Sequence, residues 1–182
     1  MTTYRLLIAP VIGLFLTLPL VGQTPPAPAA PPINPLTSDA REAWSFVKTI
    51  VVRAAEKMPE ENYAFKPVPE VRSFAQLVSH IASAQNDMCA QVKGETSPKV
   101  DFDKLDKAGL IAALKDSNAY CDATFESLTD AHAAEQLKLW GKNRARLTGL
   151  TMLAFHGYEH YGNMVTYMRI KGLVPPTSEP RK

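Results

Sequence analysis

Two histidines four residues apart stand in the stretch HGYEH, His156 to His160. On a helix that spacing puts both imidazoles on one face, within reach of a single metal ion. The same letters spell H-x-x-E-H, in which a glutamate serves a zinc peptidase as base. That reading also needs a glutamate well downstream. Only Tyr161 to Lys182 follows, and its sole acid is Glu179, in a proline-flanked tail. Glu159 falls about a quarter turn from the histidine face, so its expected place is beside the site or on the surface.

A third histidine, His80, lies mid-helix in another periodic segment, on the side of Leu77, Ile81 and Ala84. A bundle could bring it to the other two. Three neutral ring nitrogens from two helices hold a divalent ion and leave a coordination position open. That arrangement suits a catalytic or substrate-binding metal. The open position would take an activated water for hydrolysis or a thiolate for transfer. Gln76, Asp87, Asn163 and Tyr167 are candidate pocket-lining residues. None is a compelling general base, so no catalytic residue is assigned. A non-catalytic metal-binding or interaction module is therefore the alternative, and core histidines bonded to the backbone are a third reading. His132 sits in a polar segment and is not a candidate ligand.

Four amphipathic segments must position these groups. The first runs from about Ser38, its expected cap, to Met58. Ala40, Trp44, Val47, Val51, Ala54 and Met58 form its stripe, and Pro59 stops it. The second starts at Ser73, which forms a capping-box pair with Gln76. Phe74, Leu77, Val78, Ile81, Gln85, Met88 and Val92 mark its inner side, and Gly94 ends it. The third follows Asp106, with Leu110, Leu114, Cys121, Phe125 and Leu128 inward. Residues 129–143 are polar and carry no clear assignment, and strand signals are absent. The fourth spans about Arg144 to Lys171. Its main apolar face is Leu147, Leu150, Ala154, Tyr158, Tyr161, Val165 and Met168, which leaves the paired histidines at the edge of the core. Gly172 caps it, and Pro175 and Pro176 prevent continuation. The fold expected is all-α, a four-helix bundle in which long links between helices allow a crossover connection.

The chain of 182 residues carries more than this domain. Residues 1–23 read as a signal peptide, with Arg5 ahead of an apolar run too short to span a membrane comfortably. An uncleaved amino-terminal anchor also fits, because no good cleavage site follows. Residues 24–36 are a proline- and alanine-rich linker. The bundle is assigned to 37–176 and a disordered tail to 177–182. The protein is thus expected in the periplasm or outside the cell. The formal net charge is +2, and removing Arg5 leaves +1. No clustered basic surface argues for nucleic acid. Cys89 and Cys121 fit either a disulfide in an oxidising compartment or two buried thiols.

Three stretches carry a resemblance: KMPEENYAFKPVPEVRSF (57–74), EVRSFAQLVSHIA (70–82) and HGYEHYGNMVTYMRIKGLVPP (156–176). Together they resemble the DinB/YfiT-like family of metal-binding four-helix bundles, over roughly residues 38–176. The resemblance implies that His80, His156 and His160 are the metal ligands, with zinc or nickel as occupant. It also implies a long loop crossing between the second and third helices, and often a homodimer. Some relatives join small thiols to electrophiles and others appear as hydrolases, so the expected partner is a small-molecule substrate or thiol. An exported member departs from the mostly cytosolic pattern, in a compartment where reduced thiols are scarce.

Overall fold

The computed structural model of the chain describes residues 34–180. The expected signal segment and most of the linker lie outside the described residues. Helix α1 spans Pro35–Lys57, α2 Phe74–Lys93, α3 Lys107–Phe125, α4 Asp130–Ala134 and α5 Leu147–Ile170. A short antiparallel hairpin, β1 Gln136–Leu139 and β2 Lys142–Ala145, precedes α5. No helix among the described residues is long and apolar enough to cross a membrane.

The direction of each long helix follows from its contacts. Gln85 accepts a hydrogen bond from Ser117 Oγ, and Cys89 is bonded to Cys121, so α2 and α3 run parallel. Arg41 reaches the Phe125 carbonyl while Lys115 pairs with Glu56, so α1 and α3 are antiparallel. Val92 meets Gly149 at one end of α2 and Tyr167 bonds to Arg72 at the other, so α2 and α5 are antiparallel. The bundle is up-down-down-up. Parallel neighbours need a connection that returns along the bundle. The segment 94–106, about a dozen residues, reaches roughly 40 Å when extended, more than the ~30 Å length of α2. The expected crossover is this segment.

Helix α2 forms where its sequence says it should. Ser73 and Gln76 close a capping box, and every residue of the expected inner side is buried. The first helix is different. It begins at Pro35, a residue suited to a first turn, and not at Ser38. Its orphan N–H groups are satisfied from far along the chain: Leu36 and Thr37 donate to the carboxylate of Asp130 at 3.1 and 2.9 Å. The hairpin also corrects the expectation of no strands. Its two-residue turn is Trp140-Gly141, with φ of 49° and 75°. Those values fit a type I′ turn, but tryptophan is not a residue that signals one. The Trp140 N–H donates to Gln91 Oε1 at 3.1 Å and Arg144 stacks on the ring, which offsets the strained backbone.

Helix α5 buries most of its expected stripe, with Leu150, Ala154, Tyr161 and Met168 inside and Leu147 and Val165 partly buried. A second line beside it is also inside, Gly149, Leu153, Gly157, Met164 and Tyr167, and of the expected stripe Tyr158 alone is exposed, at 42%. The cause is close approach at two glycines. A Cβ on Gly157 would lie 2.9 Å from Val47 Cγ2, and one on Gly149 would lie 2.4 Å from Val92 Cγ2. The helix therefore turns its glycines toward the core, with buried His160 and half-buried His156 along the edge. Gly149→Ala is expected to cost about 1–3 kcal/mol by overpacking, and Val92→Ala in the same chain should recover part of that. Urea unfolding of the single and double variants measures both.

The carboxyl end is another correction. Residues 177–179, expected in a disordered tail, dock on the bundle. Tyr161 Oη lies 2.9 Å from Thr177 Oγ1, and Glu179 pairs with Arg53 and Lys57 of α1. The disulfide between Cys89 and Cys121, left open by the sequence, is formed and buried between α2 and α3.

Candidate metal centre

His80 sits on the second turn of α2, held by buried Leu77 and Ile81 on either side. His156 and His160 stand one turn apart on α5. The antiparallel packing of the two helices is pinned by Val92 against Gly149 at one end and by the Tyr167–Arg72 hydrogen bond, 2.7 Å, at the other. Between these clamps the three rings face one another. Nε2 of His156 lies 3.2 Å from Nε2 of His80 and 3.0 Å from Nε2 of His160. Among the described residues this is a cluster that could hold a metal ion.

The spacing can be tested against the chemistry. Ligand nitrogens at about 2.0–2.1 Å from zinc stand roughly 3.3 Å apart on a tetrahedron and roughly 3.0 Å apart on an octahedral face. The two observed separations fall in that range. A ligating imidazole also needs a partner for its other nitrogen, which must then carry the proton. The side-chain amide of Asn163 lies 3.2 Å from His160 Nδ1. Nδ2 faces the ring in this amide orientation, and a half-turn of the amide would present Oδ1 as acceptor for an Nδ1–H. The residues fit a divalent cation.

The rings are also poised to be neutral. Burial pushes His156 down to about 4, helped by the charges of His160, His80 and Arg72. His80 is lowered by burial first, then by Arg72 and His160, against Glu159. His160 is lowered by burial and by Arg72, with Glu159 opposing. Neutral rings keep the lone pairs that a metal needs. Acid should act on the metal-free protein accordingly. Below 6.5, the ordinary histidine value, the unfolded chain takes a proton that folded His156 refuses until about pH 4. Stability is expected to fall as pH drops through that window, and not above it. Urea midpoints between pH 8 and pH 5, compared with His156→Gln, would show the slope shrink in the variant.

A cleft of about 860 Å³ opens beside His80, lined by Lys66, Arg72, Gln76, Ser79, Asn163 and Tyr167 among others. Of the four candidate pocket-lining residues, Gln76, Asn163 and Tyr167 lie along this cleft. Asp87 is the exception. It is exposed, about 10 Å further along α2 than His80, and is not among the residues that line the cleft. Glu159 is exposed and bonds to none of the rings. His132 pairs with Glu135 on the surface and takes no part in the cluster. Lys66, Ser79 and Arg72 were not singled out from the sequence. Arg72 lies just before the Ser73 cap of α2, outside the helix, so no helical spacing pointed to it.

Residues 43–164 match the DinB superfamily. The protein YjoA of Bacillus subtilis (strain 168) is 25% identical over 129 residues, which cover 69% of this chain and 84% of YjoA. Among solved structures, a DinB-like protein from Bacillus cereus superposes with a TM-score of 0.67 at 15% identity, covering 76% of this chain and 95% of that one. The crystal structure of YjoA gives 0.65 at 20% identity, covering 79% and 99%. A DinB-family protein from Exiguobacterium sibiricum gives 0.58 at 14% identity, covering 78% and 95%. The sequence match takes in helices α2 and α3 whole and all three histidines, and the solved relatives share the bundle: this chain belongs to the DinB superfamily.

Proposed function

We propose that the protein binds one divalent metal ion, zinc or nickel, through Nε2 of His80, His156 and His160. We propose further that it is an exported metal-dependent hydrolase. The observation that carries this reading is the convergence of three Nε2 atoms at 3.0 and 3.2 Å separations beside an open polar cleft. When bound, such an ion supplies Lewis-acid activation of a water or a substrate group. The chain's own residues bind and orient. Asn163 holds His160 by its Nδ1, and Tyr167 holds the backbone of Arg72 against the cleft.

Export is supported by the apolar amino-terminal run and by the buried disulfide, a bond that persists in oxidising compartments. The same setting disfavours thiol transfer, since reduced small thiols are scarce there. Transfer remains the second enzymatic reading because the metal position would accept a thiolate equally well. One observation favours a non-catalytic role: among the described residues, no carboxylate contacts the three rings.

The test has two stages. Metal content is measured on protein purified from its own compartment, and after zinc or nickel reconstitution. One ion per chain is the expected result, and a chain that takes up neither metal would end the proposal. Ester-hydrolysis and thiol-transfer screens on the loaded protein then separate the three roles.

A further inference from the structure

The cleft beside the histidines has a charged wall that the metal reading does not use. Lys66 and Arg72 stand on it, and Glu70 is the one acid among its lining residues. Lys66 Nζ donates to the Pro69 carbonyl at 3.0 Å, which leaves its other N–H groups free to point into the cleft. Among the described residues no carboxylate pairs with Arg72, and its side chain is exposed. Its main chain, by contrast, is fixed, because Tyr167 Oη donates to its carbonyl at 2.7 Å. Tyr167 is in turn packed edge-on by Phe65 at 5.9 Å. An anchored backbone carrying an unpaired guanidinium is an arrangement that can meet an oxyanion with two parallel N–H donors. Arg72 and His80 line the same cleft, and the Arg72 charge acts on all three rings.

The amino terminus of α2 opens on the same cleft, yet its backbone cannot do this work. The N–H groups of Phe74 and Ala75 donate to Phe65 and Tyr63 carbonyls, and that of Gln76 donates to Ser73 Oγ. Anion recognition therefore falls to side chains.

We propose that Arg72, assisted by Lys66, is the specificity-determining group of this cleft, and that the substrate carries a carboxylate or phosphate close to its reacting bond. This rests on the metal-site reading, since the reacting bond is placed by the histidines. Arg72 is not assigned a chemical step.

The test uses the zinc-reconstituted protein and measures binding. Inorganic phosphate, succinate and benzoate are titrated against succinamide and benzamide at low salt, by NMR or calorimetry, with zinc content determined in every sample. At least one anion is expected to bind about tenfold or more tightly than the neutral amides. Arg72→Gln should remove most of that preference with zinc content and melting temperature unchanged, because the carbonyl that Tyr167 holds survives the substitution. Arg72→Lys should restore part of the preference, and raising the salt should weaken it. No anion preference anywhere in the panel, or an Arg72→Gln protein that binds the anions as well as the parent, would overturn the proposal. Failure of the metal reading is visible separately, as absent zinc in the parent chain.

Discussion

His156→Ala is expected to yield a folded protein that no longer holds its metal. His156 is the middle ring of the cluster: its Nε2 contacts both other rings, so its loss leaves two nitrogens from different helices. Removing groups that merely orient a ligand lowers metal affinity by about 10–100-fold, and removing a ligand should exceed that. The effect on stability follows by mass action. Metal at a thousand times its dissociation constant stabilises the parent by about 4 kcal/mol, and the variant should gain almost nothing from the same addition. Thermal unfolding with and without zinc measures the difference. His132→Ala is the matched control, because that ring is exposed and apart from the site. Asn163→Ala should fall between the two, since it removes only the partner of His160 Nδ1.

The second large effect concerns the disulfide. Cys89 and Cys121 close a loop of sequence separation 32 that contains the whole crossover connection. In the unfolded chain that closure removes conformational freedom worth about 3–4 kcal/mol by the loop-entropy relation. Replacing both cysteines by alanine should lower stability by about that amount and the melting temperature by roughly 10 °C. The parallel packing of α2 and α3 depends on the bond more than the site does. His80 lies on α2, well before Cys89, and its register is set against α5 at Gly149 and Tyr167. Metal stoichiometry is therefore expected to survive in the double variant even as stability falls. A melting temperature unchanged in the double variant would show that the bundle does not draw on the bond.

Much of this was legible in the residues, for reasons that differ by element. Helix α2 was legible throughout, since its capping box, inner stripe and terminal Gly94 are local features that agree with one another. The histidine triad was legible because i, i+4 spacing and a mid-helix position are enough once a bundle is inferred. The buried face of α5 was legible in part: Leu150, Ala154, Tyr161 and Met168 are inside as expected, but side-chain bulk marks a stripe only where bulk makes the contact. Gly149 and Gly157 make theirs through backbone approach, which widens the buried face toward the histidines. The start of α1 depends on Asp130, more than ninety residues away, and no local pattern encodes such a cap. The hairpin hid behind a turn whose first residue is Trp140, held in place by Gln91 and Arg144. Asp87 was chosen for its chemistry and its distance in turns, but it faces solvent.

The central claim is that one ion is held by three imidazoles drawn from α2 and α5. Anomalous diffraction from crystals of the metal-reconstituted protein tests it most directly. A single strong peak is expected about 2.0–2.1 Å from Nε2 of His80, His156 and His160 together. A peak elsewhere, or one that engages the pair on α5 without His80, would contradict it.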